Sequence, residues 1–444
     1  MFWHAREHQL RLLEGGETLR VELPVTAEVP GDYTVRGVLE ARDLEERPYR
    51  FPFVVRLSVA VRGRRYQVCP IQPYEIGSGL GSDRTFVGRG DLIEWLATQW
   101  RSPDTRQGVV LVGQRRIGKT SLLNYLERHG LPQTPLVAVK ADLQASNDEY
   151  QFLDRAAARI AGRLDLPAVV LDQSAPYRAF ERFLDSTVPA LAGRRILLMV
   201  DEANLLPQRF NATHLPGFLR SLMQGDFPLV VMFCGTHALR EGARDYDSIL
   251  FNTARFRTIS YLTEAEAEEV LERPARDYLE FDESTLRRGY ALTHGQPLLL
   301  QTLGALTIED FNAEVRQGRA RSTFVSPADL DRAAEQLVRA ETSPVFDEHW
   351  EHASLDTRLH LCALAWATDE DNRRRLDAPG LRNAMKDAGL QAGAASATSA
   401  ILDSLTAEQV LVEEGPTYRY AVPLYRRWIA WRHPPRKLRV AQGE

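Results

Sequence analysis

Hydrophobic and polar positions follow two different patterns along this chain of 444 residues. Between residues 1 and 75, short runs rich in β-branched and aromatic residues are separated by proline and glycine, which is typical of antiparallel strands. We therefore predict a small all-β, sandwich-like domain over residues 1–75 and a proline- and glycine-rich linker at 70–85. The predicted β runs are Thr18–Leu23, Tyr33–Leu39, Phe51–Val61 and Arg65–Val68.

After residue 85, apolar runs of strand length alternate with segments of helical periodicity. This alternation indicates a parallel sheet covered by helices on both faces, and we assign it to an α/β core over residues 76–262. The predicted strands of this core are 109–112, 136–140, 196–200, 229–234 and 257–261.

Residues 263–345 carry a mostly helical pattern, which predicts a helical lid. Its first helix has a clear start signal, because Thr263 and Glu266 have the spacing of a capping box. Over residues 346–444 the pattern predicts helices, then a β-hairpin at 410–420 and a final helix. This order is the plan of a winged-helix domain.

Residues 113–120 read Gly-Gln-Arg-Arg-Ile-Gly-Lys-Thr, the pattern of a phosphate-binding loop between a strand and a helix. Glycines let the backbone fold around phosphates, and the backbone amides and the helix N-terminus supply partial positive charge. Lys119 would reach the β- and γ-phosphates, and the Thr120 hydroxyl would hold Mg²⁺. The alternative is a glycine-rich turn with a chance Lys-Thr pair. The loop residues that we predict to bind nucleotide are Gly113, Gln114, Arg115, Arg116, Ile117, Gly118, Lys119, Thr120 and Ser121.

The apolar strand 196–200 ends in Asp201 and Glu202. An acid at the carboxyl end of a parallel strand lies at the phosphate-binding edge of the sheet, so Asp201 would hold the Mg²⁺ shell. Glu202 would polarise the water that attacks the γ-phosphate. Taken alone, the pair is an ordinary loop start. Its place after a phosphate loop and an intervening strand favours a Walker B motif.

Composition limits the location and the partners of the chain. The net charge is −5, so no overall field draws the chain to nucleic acid. There is no apolar run of roughly 18 residues and no apolar signal core at the N-terminus, so we expect a cytoplasmic protein that does not enter a membrane. Cys69, Cys234 and Cys362 lack metal-binding spacing and fit reduced thiols.

Together with the loop and the Asp-Glu pair, two further motifs resemble the AAA+/STAND class of P-loop ATPases, in particular its archaeal-type, origin-recognition-like and NACHT-like branches. The first is Phe86-Val87-Gly88-Arg89, which in that class lies beside the adenine. The second is Gly295-Gln296-Pro297, which is similar to the motif whose proline packs against adenine.

The resemblance also implies residues that sense or assist hydrolysis. Thr236, at the end of an apolar strand, is similar to the first sensor of the γ-phosphate, and His237 or Arg240 could share this role. Arg255 and Arg257 precede the predicted fifth strand, where ring-forming relatives carry an arginine finger. Either could instead pair with a neighbouring acid. The lid helices show no clear second-sensor arginine.

The resemblance therefore implies ATP and Mg²⁺ as cofactors and a multi-domain fold with sheet order 5-1-4-3-2, a helical lid and a winged helix. It implies a slow, regulatory Mg-dependent ATPase that switches domain arrangement and forms a homo-oligomer on ATP binding, with a role in signalling or anti-phage defence by analogy. The N-terminal β domain would recruit a protein partner.

The leading alternative is a DNA-acting AAA+ ATPase that loads or remodels a nucleoprotein complex. The basic segment 426–439 supports it, because a winged helix with a basic flank can bind duplex phosphates. We favour a clamp or protein-contact role for this domain. A metabolic kinase or GTPase fits less well, because nothing resembles the guanine-reading Asn-Lys-x-Asp motif.

Overall fold

A computed structural model describes residues 31–42, 47–59, 63–77, 83, 85–102, 104–210, 214–239, 254–341, 343–368, 374–390 and 395–435. The described N-terminal part begins with a two-stranded antiparallel hairpin of β1 (Gly31–Arg42) and β2 (Pro48–Val59). Period-2 alternation places apolar pairs such as Tyr33 and Leu57 on one face. The predicted run Thr18–Leu23 lies outside the described residues.

The described part of residues 1–75 holds one two-stranded sheet and then an extended segment, and the sandwich-like domain stays a prediction. Arg65 makes only an isolated bridge to Ser322, so Arg65–Val68 is not a strand. We call residues 63–77 the strap, because they run along the lid. Tyr66 and Tyr74 are buried there, which corrects the linker prediction for residues 70–77. Buried aromatic side chains, rather than the prolines, decide this placement.

The core is a five-stranded parallel sheet between helices. Its strand order, β4-β5-β6-β3-β7, is the predicted order 5-1-4-3-2 read from the other edge. In chain order the core elements are α1 (Gly90–Gln99), β3 (Val109–Val112), α2 (Lys119–His129), β4 (Leu136–Asp142), α3 (Glu149–Arg163), α4 (Pro176–Leu191), β5 (Arg195–Asp201), α5 (Leu205–Arg209), α6 (Leu215–Gln224), β6 (Leu229–Gly235) and β7 (Arg255–Thr258).

One strand boundary differs from the sequence prediction. We expected the fifth strand at 257–261, but β7 spans Arg255–Thr258, because its register pairs Arg255 with Val109 and Thr258 with Val112. The short edge strand is fixed by its ladder to β3 rather than by its own apolar pattern. Arg255 and Arg257 therefore lie within the strand and not before it.

Both faces of the sheet are buried, as the apolar strands predict. Val110 and Val112 pack on one face with helices α3, α4 and α6, whereas Val109 and Leu111 pack on the other with α1 and α2. Alternate side chains of one strand point to opposite faces, so a strand that is apolar at every position must be covered twice.

The lid begins with the capping box that the sequence predicted, since Thr263 accepts from the backbone of Glu266 and the Glu266 carboxylate accepts from the backbone of Thr263. The lid elements are α7 (Glu264–Ala275), β8 (Glu280–Phe281), α8 (Glu283–Thr293), α9 (Pro297–Arg316), β9 (Phe324–Val325) and α10 (Pro327–Arg339).

The C-terminal region combines helices with a three-stranded antiparallel sheet of order β10-β12-β11. Its buried residues, including Phe346 and Trp428, join those of the lid and the strap in one hydrophobic core. Its elements are α11 (Pro344–His352), α12 (Leu355–Ala367), β10 (Leu376–Asp377), α13 (Ala378–Asp387), α14 (Ala395–Ala407), β11 (Leu411–Glu414), β12 (Thr417–Tyr420) and α15 (Pro423–Arg432).

No helix within the described ranges is both long enough and apolar enough to cross a bilayer.

Candidate functional site

A cleft of about 610 Å³ opens between the α/β core and the lid. The loop at 115–121 lines one part of it, together with Glu202 and Asn204 from the end of β5. Phe86 and Val87 line another part, with Pro297 at the start of the lid helix α9. The cleft thus brings together four segments that are spread over more than two hundred residues of the chain.

The loop after β3 is built to expose backbone amides. Gly118 has φ of 94°, in the left-handed region that favours glycine, and α2 starts at the next residue. Arg116 is also left-handed, with φ of 61°. The helix N-terminus therefore opens toward the cleft with its first N–H groups, which is the arrangement that binds phosphate.

Lys119 is buried and donates to backbone carbonyl oxygens of its own loop. Its ammonium lies 2.7 Å from the oxygen of Gln114 and 3.1 Å from the oxygen of Gly113. Burial lowers the pKa of Lys119, because desolvation disfavours the charged form. A bound phosphate would offer this ammonium a full negative charge in place of two neutral carbonyl groups.

Thr120 and Asp201 form the oxygen pair expected of a Mg²⁺ site. The Thr120 hydroxyl donates to Asp201 Oδ2 at 3.0 Å, and Asp201 is buried. Burial raises the pKa of Asp201, so a cation here would stabilise the charged carboxylate. Mg²⁺ usually takes one or two protein oxygens and completes its shell with water and phosphate. The two side-chain oxygens therefore fit this ion.

Glu202 and Asn204 follow Asp201 on the turn after β5. Glu202 has φ of 52°, a left-handed conformation that carries strain for a non-glycine residue. This turn places Glu202 on the wall of the cleft. Asn204 also lines the cleft, and its Oδ1 accepts from the backbone N–H of Thr236 at 3.4 Å. Asn204 was not among the residues predicted from sequence.

The Phe86-Val87-Gly88-Arg89 segment joins the cleft, the loop and the lid. Phe86 stacks on Tyr125 of α2 with ring centroids 4.4 Å apart. The guanidinium of Arg89 donates to the carbonyls of Ser260 and Ile117, at 2.6 and 3.0 Å. Arg89 therefore holds the backbone of the phosphate loop in place, and it also lines the cleft.

Gly88 is needed for a close approach, since a Cβ there would come within 2.4 Å of the Glu266 carboxylate. The backbone N–H of Arg89 donates to the same carboxylate at 2.7 Å. The lid helix α7 is thus fixed to the start of the core. At α9, Gln296 donates to the carbonyl of Arg116 at 3.2 Å, which links the lid directly to the loop.

Comparisons with known proteins agree with this geometry. Residues 101–241 match the family model described as an AAA domain. A Walker-type ATPase of Pyrococcus abyssi shares the fold, with 17% identity, a TM-score of 0.55 and coverage of 80% of this chain and 98% of its own. The ORC2 protein of Aeropyrum pernix, solved with ADPNP and ADP, has 14% identity, a TM-score of 0.56 and coverage of 83% and 96%. No curated protein matched the sequence.

Residues 101–241 match an AAA domain, and we call the five-stranded α/β core that contains them the AAA domain. Its fold is that of ORC-like P-loop ATPases, as the resemblance of the motifs implied. At these identities the two solved structures establish the fold, and the residue roles rest on the geometry of this chain.

Most of the residues that the sequence predicted to bind nucleotide line the cleft of the AAA domain. They are Phe86, Val87, Arg89, Arg115, Arg116, Ile117, Gly118, Lys119, Thr120, Ser121, Glu202 and Pro297. Four predicted residues do not line the cleft: Gly88, Gly113, Gln114 and Thr236. The backbone N–H of Thr236 does donate to Asn204, and Asn204 lines the cleft. Arg240 lies outside the described residues.

Several lining residues were missed by sequence reasoning. Among them are Glu75 and Thr85, which lie on either side of the domain boundary predicted between residues 75 and 76. A third is Gln301, one helical turn after Pro297. None belongs to a recognised motif. The i, i+4 spacing of Pro297 and Gln301 on one helix face was the available signal.

Arg255 and Arg257 lie on the edge strand of the AAA domain and do not line the cleft. Arg255 donates to the side-chain oxygens of Gln107 and Gln99 at 2.8 and 3.0 Å. Arg257 lies over the ring of Trp95, 5.4 Å from its centroid, and 4.0 Å from Asp91. Both guanidinium groups are thus at the flank of the domain.

Gln114 turns away from the cleft and toward the C-terminal region. Its Nε2 donates to the carbonyl oxygen of Glu408 at 2.7 Å, and its Oε1 lies 2.9 Å from the Tyr261 hydroxyl. The same hydroxyl lies 2.8 Å from the carbonyl oxygen of Gln409. Gln409 in turn donates to Ser260 at 2.8 Å. We call the contact of Gln114 and Tyr261 with Glu408 and Gln409 the latch.

Proposed function

We propose that this chain is an ATP-binding and hydrolysing switch whose nucleotide state controls how the C-terminal region is held on the AAA domain. The observation that carries the proposal is the position of Gln114. Its backbone carbonyl accepts from Lys119, and its side chain donates to Glu408 in the latch. One residue of the phosphate loop therefore contacts both the phosphate-binding lysine and the C-terminal region.

The switch follows from a competition for Lys119. A triphosphate in the cleft would attract this ammonium, because charge-assisted hydrogen bonds are roughly twice as strong as neutral ones. Lys119 would then leave the carbonyls of Gly113 and Gln114. Losing that bond frees the Gln114 backbone to move, and the geometry of the latch changes with it. The latch would have a different free energy when Lys119 binds phosphate than when it binds Gln114. A nucleotide can shift the position of the C-terminal region only by this difference.

In the hydrolysis step, Asp201 and Thr120 would hold Mg²⁺, which neutralises charge on the phosphates. Glu202 would accept the proton of the attacking water, and Asn204 would orient that water or the γ-phosphate. Three further loop residues, Arg115, Arg116 and Ser121, would contact phosphate. The base would lie against Phe86, Val87 and Pro297.

We further propose that residues 346–435 form a winged-helix unit and that it serves as the clamp on the core. Three helices, α12 to α14, and the sheet β10-β12-β11 support this assignment. Assembly into a homo-oligomer on ATP binding, a protein partner for the N-terminal β part and a role in signalling or defence remain parts of the same proposal.

The contacts of the basic residues favour the clamp over the DNA-acting alternative. Arg426 is buried and donates to the carbonyl of Thr368, and Trp428 packs in the core beside it. Arg375 and Arg419 both pair with Glu414. Helix α14, which precedes the hairpin, contains no lysine or arginine. The basic tail at 436–439 lies outside the described residues.

The test uses the full chain with a fluorophore pair on the AAA domain and on the C-terminal region. Adding ADPNP with Mg²⁺ should change the distance between the fluorophores in the wild type. Gln114→Ala should shift the nucleotide-free protein toward the nucleotide-bound value, because it removes the Glu408 bond. Gln144→Ala is the matched control, since Gln144 lines the cleft from another loop and does not contact the latch.

An unchanged distance on saturation with ADPNP, with binding verified by calorimetry, would contradict the switch. Duplex DNA is the second arm of the experiment. A DNA-acting protein should bind it with a steep dependence on salt, because each phosphate contact releases a counterion. We expect no such binding.

A further inference from the structure

The strap brings a carboxylate to the cleft from outside the AAA domain. Tyr66 and Cys69 are bound to Asn312 of the lid helix α9, with the Tyr66 hydroxyl 2.9 Å and the Cys69 N–H 2.8 Å from its Oδ1. Tyr74 is buried against Gly304 of the same helix, where any Cβ would collide with its ring. These contacts fix the path of the chain, so the next residue, Glu75, has a defined place on the cleft wall.

Glu75 is itself held at two points. Its backbone N–H donates to the Gln301 side-chain oxygen at 3.3 Å. Its carboxylate accepts from the Thr85 hydroxyl at 3.0 Å, and Thr85 is buried. Both partners also line the cleft. A carboxylate has about four lone-pair sites, and the bond from Thr85 helps to orient the group.

The surroundings of Glu75 identify the part of the nucleotide that it would meet. Gln301 lies one helical turn after Pro297, on the same face of α9. Tyr74 donates to the carbonyl of Leu271, which belongs to the apolar cluster of Val87 and Val270. Tyr74 and Gln301 thus tie Glu75 to the elements that carry the apolar lining residues Val270 and Pro297. Apolar lining with a few polar groups beside it suits a flat heterocyclic base.

We infer that Glu75 is a specificity-determining residue that reads the amino group of adenine, with Thr85 as its positioning residue. The inference rests on the proposed nucleotide site. An amino group donates to the carboxylate, whereas a carbonyl at the same position of the purine would face it acceptor to acceptor. A site built around such a hydrogen bond rejects analogues that lack the donor, because they place an acceptor against the carboxylate instead.

The experiment compares the affinities of the full chain for ADP and inosine diphosphate by calorimetry, since neither is hydrolysed. Inosine diphosphate carries a carbonyl where ADP carries the amino group. We expect the wild type to prefer ADP by roughly tenfold or more, the value of one charge-assisted hydrogen bond. Glu75→Gln should reduce that ratio to about one to two, because an amide can donate to the carbonyl and accept from the amine.

Thr85→Val should reduce the ratio partly, and Thr85→Ser should restore it, because serine keeps the orienting hydroxyl. Glu309→Gln is the control, since it removes the same charge from an exposed site on α9. Equal wild-type affinities, or an unchanged ratio in Glu75→Gln, would overturn the inference and leave the nucleotide site standing. Binding of neither nucleotide would overturn both proposals. Thermal unfolding without nucleotide verifies that each variant is folded.

Discussion

At the scale of single residues, the competition for Lys119 governs the behaviour of the site. In the structure this lysine is buried against two carbonyl oxygens of its own loop. A buried ammonium with a lowered pKa gains most from a partner of opposite charge. Phosphate binding would therefore replace the bonds that Lys119 makes with its own loop, and the difference between the two sets of bonds contributes to nucleotide affinity.

Lys119→Ala should abolish ATP binding or weaken it severely. Nucleotide at a hundredfold excess over its dissociation constant stabilises a protein by about 2.7 kcal/mol, which appears as a thermal shift. We expect most of this shift to be lost in Lys119→Ala and kept in the control Lys386→Ala, an exposed lysine of the C-terminal region. An undiminished shift in Lys119→Ala would argue against the phosphate-loop assignment.

Glu202→Gln should bind ATP normally and hydrolyse it far more slowly. Glutamine keeps the shape of the side chain but cannot take a proton from water, and loss of a general base typically costs 10²–10⁴-fold. Single-turnover hydrolysis beside an ADPNP titration separates the two effects. Turnover equal to the wild type at saturating Mg-ATP would direct attention to Asp201 or to another acid.

At the scale of elements, the strap depends on one asparagine of helix α9. Asn312 accepts from Tyr66 and from the backbone N–H of Cys69, and its own amide donates to the Cys69 carbonyl at 3.1 Å. All three partners are buried or partly buried, so the side chain replaces a strand ladder for this segment.

Asn312→Ala should destabilise the protein by about 2–4 kcal/mol, because it leaves buried donors and acceptors without partners. Chemical denaturation measures the change, and Asn383→Ala, an exposed residue of α13, provides the control. Hydrogen exchange should show faster exchange of the strap amides near Cys69 in Asn312→Ala. A loss below about 0.5 kcal/mol, the usual effect of a surface substitution, would mean that the strap is held by its aromatic residues alone.

At the scale of the whole molecule, the flank of the AAA domain raises the question of assembly. Arg255 and Arg257 lie on the edge strand β7, away from the cleft of their own chain. A guanidinium in this place could reach the γ-phosphate of a neighbouring copy, where arginine fingers contribute 10³–10⁵ in rate. Arg255 would have to give up its hydrogen bonds to Gln99 and Gln107 in order to bind that phosphate.

If either arginine acts in a neighbouring site, ATP hydrolysis per subunit should rise with protein concentration. Arg255→Ala or Arg257→Ala should remove that rise and leave ATP affinity within a few-fold of the wild type. Gln107→Ala is the matched control, because it removes a contact of Arg255 but keeps the guanidinium. Constant specific activity, with no ATP-dependent oligomer in light scattering, would instead describe a monomeric switch.

The sequence by itself determined the α/β plan of the core and placed a phosphate-loop motif after its first strand. The 113–120 loop, Asp201 and Glu202 could be proposed as site residues because such motifs depend on short spacings and on their place after apolar strands. The central strands were likewise predictable, since uninterrupted apolar strands must be buried on both faces, whereas their order came from the resemblance to a known family.

Only the tertiary structure decided which residues meet from distant parts of the chain. It placed Glu75 and Gln301 on the cleft, joined Gln114 to Glu408, and assigned the strap to the core of the lid. Local sequence pattern does not encode these contacts, because each joins partners more than two hundred residues apart in sequence. Local pattern encodes the elements and their motifs, whereas contacts between elements depend on packing in three dimensions.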